Sequence, residues 1–217
     1  MGFVVAVDGP AASGKGTIAQ GVARHFALPA LDTGLLYRAV GWAASKAGAD
    51  LDDPAAAAAV AQALDAEALE DPALRTRAAG EAASRVAIHA PVRAALLQFQ
   101  RAFAAREPGA VIDGRDIGTV IAPDAPAKLF VTAAPEARAH RRWLQLSGAG
   151  DAVSLEQVLE DIRRRDARDS GRATAPLTAA ADSVLLDTTE MTIDAAADAA
   201  RRIVEAARAR WEASQPG

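Results

Sequence analysis

Cysteine is absent from the 217-residue chain. That excludes disulfides and thiolate metal centres, and it fits a reducing compartment. Lysine is scarce. Only Lys15, Lys46 and Lys128 stand among the 24 basic residues, and the others are all arginine. The formal charge is -4 and aromatic residues make up 4%. A basic surface interleaved with aromatics is therefore missing, and no nucleic-acid partner is expected. No apolar run reaches the roughly 18 residues of a membrane span. The alanine run Ala55–Ala59 is too short for one and reads as helix. No basic segment precedes the first apolar run, as a secretion signal would require. His25, His89 and His140 are scattered and make no metal-binding spacing. These absences lead us to expect a soluble cytoplasmic protein.

Turning to what is there, hydrophobic residues reach 51%, much of it alanine. The expected core is helix-rich, with thin side chains packed closely. The length suits one domain with small appended lobes. The arginine excess has two readings. It is a compositional background, or some of the guanidinium groups clamp phosphates in bidentate fashion. Position must separate the two.

Four short apolar runs read as buried parallel strands: Phe3–Val7, Ala110–Ile112, Lys128–Val131 and Val184–Leu186. Ala30–Leu31 is a weaker fifth. Asp8, Asp32, Asp113 and Asp187 follow four of them. Helical patterns fill the gaps. Lys15–Phe26 is amphipathic. Pro91–Arg106 carries Val92, Leu96, Phe99 and Phe103 at spacings of three and four. Pro135–Leu146 begins with Pro and Glu. Ser154 and Gln157 form a capping-box pattern that opens a helix to about Arg168. Thr192–Trp211 closes the chain, with a frayed tail expected over Ala213–Gly217. Alternating strands and helices predict an α/β fold, a parallel sheet covered on both faces. Strand-end carboxylates would line the edge where such sheets bind ligands. Residues 33–107 and 147–178 break the alternation and read as insertions above that edge.

The segment Gly9-Pro10-Ala11-Ala12-Ser13-Gly14-Lys15-Gly16-Thr17 follows a strand and opens a helix. In that context Gly-x4-Gly-Lys is a strong phosphate-loop signal. Its glycines let backbone N–H groups surround an anion, and the helix start adds positive potential. Lys15 is placed to reach β/γ-phosphates. Gly16 stands where Ser or Thr normally follows the lysine, and Thr17 comes one residue later. No metal ligand is therefore assigned directly to the protein, and magnesium is expected to lean on water and nucleotide oxygens. The Asn/Thr-Lys-x-Asp segment that reads guanine is absent.

The Gly-Lys-Gly-Thr variant resembles nucleoside monophosphate kinases. Three further stretches are similar to bacterial cytidylate kinases: Leu31–Arg38, Ile112–Val120 and Arg165–Leu177. Shorter pieces also match, including Ala139–Arg142 and Leu186–Thr188. The resemblance covers essentially the whole chain. It implies a P-loop NTPase-type five-stranded parallel sheet and transfer of the ATP γ-phosphoryl group to CMP or dCMP, with Mg2+. It also implies a monomer with a core (1–32, 108–146, 179–217), a helical acceptor-binding lobe (33–107) and a lid (147–178). Arg38 and Arg115 would grip the acceptor phosphate. Thr33, Arg75 and Asp116 would lie at the base, with Asp113 close by. Arg165, Asp169 and Arg172 would act from the lid. The Arg75 assignment rests on Arg75-Thr76 preceding Ala82-Ala83-Ser84. The lobe is shorter than the β-rich lobe of many such enzymes, which leaves its base contacts open.

Several residues carry a structural reading beside the functional one. Asp32 either caps a helix or positions metal or nucleotide. Thr33 either caps the Tyr37 helix or faces the acceptor. Tyr37 reads first as packing. Arg163 and Arg164 read as a solvated, salt-bridged face. Arg141 and Arg142 either reach ATP phosphates or flank the lid. The chemistry itself needs no general base, because a phosphate monoester is largely a dianion at pH 7, with a second pKa near 6. Two alternatives remain open. One is a kinase for another small acceptor such as UMP or AMP. The other is a non-catalytic nucleotide-binding module.

Overall fold

A computed structural model describes residues 2–215. Five strands form one sheet: β1 (Phe3–Asp8), β2 (Ala30–Asp32), β3 (Gly109–Gly114), β4 (Ala127–Thr132) and β5 (Val184–Asp187). All pairings are parallel, in the order β2-β3-β1-β4-β5. The helices are α1 (Lys15–Phe26), α2 (Thr33–Lys46), α3 (Pro54–Gln62), α4 (Arg77–Val86), α5 (Ala90–Ala104), α6 (Pro135–Gly148), α7 (Leu155–Ser170) and α8 (Ile193–Ser214).

The central strand shows why both faces are covered. Successive side chains of a strand point to opposite faces. Phe3, Val5 and Val7 pack with Ile18 and Val22 of α1 and with Ala200 and Val204 of α8. Val4 and Ala6 face the other way, toward Phe103 and Ala104 of α5.

The edge strand corrects one expectation. Only Leu186 of β5 is buried, whereas Val184 and Leu185 are exposed. β5 has a neighbour on one side only. On α5, Val92, Leu96 and Phe103 turn inward but Phe99 stays 40% exposed. That helix stops at Ala104, short of Arg106. Glu107 precedes Pro108, whose ring disfavours helix in the residue before it. α8 runs on to Ser214, past the end expected near Trp211, so Ala213 and Ser214 of the expected tail are helical. Pro216 and Gly217 lie outside the described residues.

Two helical groups have cores of their own. Between β2 and β3, α2 to α5 share a cluster dominated by alanine and valine, including Val40, Ala57, Ala83 and Val92. A Cβ at Gly41 would lie 2.7 Å from the Ala82 carbonyl carbon, so α2 and α4 touch backbone to backbone there. Between β4 and β5, the α6–α7 hairpin encloses Ala139, Leu146, Val158 and Ile162. Both groups depart from the C-terminal edge of the sheet. Among the described residues, no helix is long and apolar enough to cross a membrane.

Candidate active site

The loop after β1 turns under close contact. At Gly9 (φ 153), a Cβ would come within 2.0 Å of the Val131 carbonyl oxygen. Any larger residue would push β1 away from β4. α1 then starts at Lys15 with no side-chain cap and no acid in its first turn. Its first N–H groups are left for an outside acceptor, which is how a helix start binds an anion. Ser13 Oγ is buried with no protein partner. Ala11 through Thr17 line a cavity of about 1090 Å³. Gly9 and Pro10 are buried and do not reach its wall. Single small-ligand sites run to roughly 1,000 Å³, so this cavity is large for one ligand.

Two carboxylates face the loop from the ends of β2 and β3, where Asp32 and Asp113 pair in register. Lys15 Nζ lies 4.0 Å from Asp113 Oδ2. Burial, then the neighbouring Asp32, raises the Asp113 pKa. Burial, then Arg115, lowers that of Lys15. Asp32 fills the first of its two expected roles, the helix cap. It accepts the Gly34 N–H at 2.8 Å as the cap of α2, and it lines the cavity. Thr33 is therefore not the cap. Its hydroxyl donates to the Asp113 carbonyl at 2.9 Å and ties α2 to β3. Hard oxygen donors beside a phosphate loop suit magnesium, which keeps several waters and few protein ligands.

Arginines meet the loop from three elements. Arg38, on α2, donates to the carbonyl oxygens of Leu74 (2.7 Å) and Thr76 (3.3 Å). Burial, with Arg142 and Arg115 nearby, pushes its pKa down to about 10. Arg115, beyond β3, donates from Nε to Asp169 at 2.9 Å. Arg172 also donates to Asp169, and Arg165 Nε stands 4.0 Å from it. Burial works against the Arg115 charge, but Asp169, Asp113 and Asp32 together outweigh it and the pKa rises. Arg165 has no such close partner. Burial, then Arg115, pushes it down to about 9. Its Nε and that of Arg172 are buried without a hydrogen-bond partner. One buried carboxylate thus stands among three guanidinium groups, leaving local positive charge suited to an anion.

Next to this cluster lies a smaller cavity of about 40 Å³, lined by Tyr37, Ser84, Arg93, Asp116 and Arg172 among others. Arg93, from the buried face of α5, is ion-paired to Asp116 and stacks over the Tyr37 ring at 5.7 Å. Ser84 Oγ is buried with no partner. Burial raises both the Tyr37 and the Asp116 pKa. Arg75 stays outside. It is exposed at the end of the Pro72–Arg75 turn and lines neither cavity. The basic neighbour of Asp116 is Arg93 instead. Arg93 was not singled out from the sequence, and Ser84 and Asp8 were named there only within a matching stretch and as a strand-end carboxylate. Asp8 accepts the N–H groups of Ile117 and Gly118, both at 2.8 Å, and so holds the turn that carries Arg115 and Asp116.

Among the residues with open readings, Arg163 and Arg164 form exposed pairs with Glu136 and Asp161. Arg164 also borders the large cavity. Arg141 donates to the Thr188 hydroxyl (3.0 Å) and carbonyl (2.5 Å). Arg142 reaches the cavity wall, with its pKa lowered by burial.

A parallel sheet covered on both faces, with an uncapped phosphate loop after its first strand and arginines across from it, defines an α/β fold of the nucleotide-kinase type. The sequence model of the family described as cytidylate kinase matches residues 5–206. The chain belongs to that family. It is 67% identical over 211 residues to a cytidylate kinase of Caulobacter sp. (strain K31), covering 97% of this chain and 98% of the relative. It is 69% identical over 210 residues to one of Caulobacter vibrioides (strain NA1000 / CB15N), covering 97% and 99%. An uncharacterized protein from Eubacterium ventriosum ATCC 27560 shares the fold. Its TM-score is 0.55 at 16% identity, over 94% of this chain and 98% of that one.

Proposed function

We propose that the chain transfers the γ-phosphoryl group of ATP to CMP or dCMP, giving ADP and CDP or dCDP. The observation that carries this reading is one shared cavity. Arg38, Arg115 and Arg165 line the same space as the phosphate loop, so two phosphate-bearing ligands can meet there. The names of the relatives support the choice of acceptor.

Each group has a task in this reading. The N–H groups of Ala11–Thr17 and the Lys15 ammonium hold the donor β- and γ-phosphates. Arg38 and Arg115 hold the acceptor phosphate. Asp169 keeps Arg115 in place, while Arg165 and Arg172 add charge where the transferring group becomes more anionic. No residue need remove a proton. The protein positions two polyanions in line and offsets their repulsion. When bound, magnesium supplies charge neutralisation at the nucleotide phosphates, and Asp32 and Asp113 are the residues that would hold it.

Base recognition falls to the smaller cavity. Cytosine presents an N4 amino donor, and a carboxylate accepts from it. Asp116 is that acceptor, with Arg93 and the free Ser84 hydroxyl beside it. Uracil presents a carbonyl oxygen at the same position, which the carboxylate repels. The cavity must widen to admit a ring, which fits a lobe (33–107) and a lid (147–178) that move against the core. Their separate cores support this, as do the exposed ion pairs Arg77–Asp161 and Arg168–Glu81 between α4 and α7. Closure would exclude water and limit wasteful ATP hydrolysis. Both substrate sites lie in one chain, so a monomer suffices for the reaction.

An acceptor panel tests the proposal. ADP release is followed with CMP, dCMP, UMP and AMP. The cytidine acceptors are expected to give the highest kcat/KM. Equal rates with UMP and AMP would reject the cytidylate reading.

A further inference from the structure

We propose that Arg138 is a positioning residue that registers the acceptor-binding face of α7 against the phosphate loop. The inference rests on the proposed reaction and concerns how its two sites are held in line. Arg138 lies on α6 and is 3% exposed. Its guanidinium reaches three separate parts of the fold. Nε donates to the Ala133 carbonyl at 2.8 Å, just past β4. One terminal nitrogen donates to the Ala11 carbonyl in the phosphate loop at 3.3 Å. Both terminal nitrogens form a fork with Asp166 on α7, at 3.0 and 2.7 Å.

Asp166 immediately follows Arg165 and precedes Asp169 by three residues. A helix turns about 100° per residue, so pinning one position sets the directions of its neighbours. The fork at Asp166 therefore fixes the rotation of α7 that turns Arg165 toward the cavity and Asp169 toward Arg115. The phosphate-loop end is fixed as well. The bonded carbonyl belongs to the peptide between Ala11 and Ala12, and Ala12 has φ 60. That left-handed conformation is disfavoured for an L-residue. Ala12 also packs against the small core of α6 and α7. One polar and one apolar link thus join the hairpin to the strained part of the loop.

A second α6–α7 ion pair provides the contrast. Arg163 meets Glu136 at 2.9 Å, but both side chains are 62% exposed, and such pairs contribute little. Arg138 is buried while Asp166 is 26% exposed, and a pair largely removed from water adds little net stability over an apolar pair of the same volume. What a bidentate fork adds is a fixed geometry.

The test compares Asp166→Asn, Arg138→Lys and Arg163→Ala with the wild type. kcat and KM for CMP and ATP are measured at 25 °C, and urea unfolding gives the folded fraction of each variant. Asp166→Asn keeps the side-chain shape, and Arg138→Lys keeps the charge but loses the fork. Per folded molecule, each is expected to lose roughly 10- to 100-fold in kcat, the scale of a small misplacement of reacting groups. Arg163→Ala should match the wild type. If either fork variant fails to fold, the other decides. Lower unfolding midpoints with wild-type kcat would make Arg138 purely structural and overturn the inference. Absence of CMP turnover in the wild type would instead overturn the functional reading beneath it.

Discussion

Asp32 and Asp113 stand opposite each other at the C-terminal ends of adjacent parallel strands, with Lys15 Nζ 4.0 Å from Asp113. Burial, then the neighbouring carboxylate of Asp32, disfavours the charged form of Asp113 and raises its pKa. A divalent cation would relieve that strain. Asp113→Asn should therefore raise the magnesium concentration giving half-maximal turnover by about tenfold or more. A magnesium titration at saturating ATP and CMP checks this. An unchanged midpoint would remove Asp113 from the metal site.

Arg115 is held by a buried carboxylate and lines the shared cavity. Arg115→Ala should lower kcat by roughly 10²–10³, the scale of losing one preorganised group in phosphoryl or acyl transfer. ATP affinity by calorimetry should stay close to the wild-type value, because the phosphate loop is untouched. Normal turnover would take Arg115 out of the site.

Asp116 decides the base in this account. Asp116→Asn should narrow the preference for CMP over UMP by about 5- to 150-fold, since one good base-edge pairing discriminates by roughly 1–3 kcal/mol. The ratio of the two kcat/KM values is the measurement. An equal fall for both acceptors would show that Asp116 shapes the turn and does not read the base.

Asp8 predicts a pH dependence of stability. Burial raises its pKa from 3.8 to about 6, against the lowering effect of its two backbone hydrogen bonds. The folded state then holds a proton that the unfolded chain releases between those values. Its contribution to stability is full below pH 3.8 and is lost as pH rises through about 6, a change of roughly 3 kcal/mol. Asp8→Asn is less stable throughout, because one of its two side-chain acceptors becomes a donor. Its stability should nonetheless fall less than the wild type's between pH 4 and pH 7. Urea unfolding across that range checks the difference. Parallel curves would contradict it.

The parts of this molecule legible in the sequence are the local ones. The phosphate loop could be read because Gly9, Gly14 and Lys15 act within one strand–turn–helix unit. The strands could be found from short apolar runs, but Val184 and Leu185 carry the same signature as Leu129 while lying on an edge. Burial there depends on sheet order, which no single strand encodes. Arg93 and Arg138 escaped for a related reason. Their partners, Asp116 and Asp166, lie 23 and 28 residues away. The available hint was an arginine on the buried face of an amphipathic helix, beside Val92 and Leu96 in one case and Ala139 in the other. Arg75 rested on local context alone, and the turn at Pro72 leaves it exposed and off both cavity walls.

The most direct test of the central claim follows the phosphoryl group itself. ATP labelled at the γ-phosphate is incubated with the protein, magnesium and CMP, and the products are separated. The account predicts that the label appears in CDP, that its transfer depends on CMP, and that little is released as inorganic phosphate. Label found only in inorganic phosphate, or no transfer beyond a protein-free control, would contradict it.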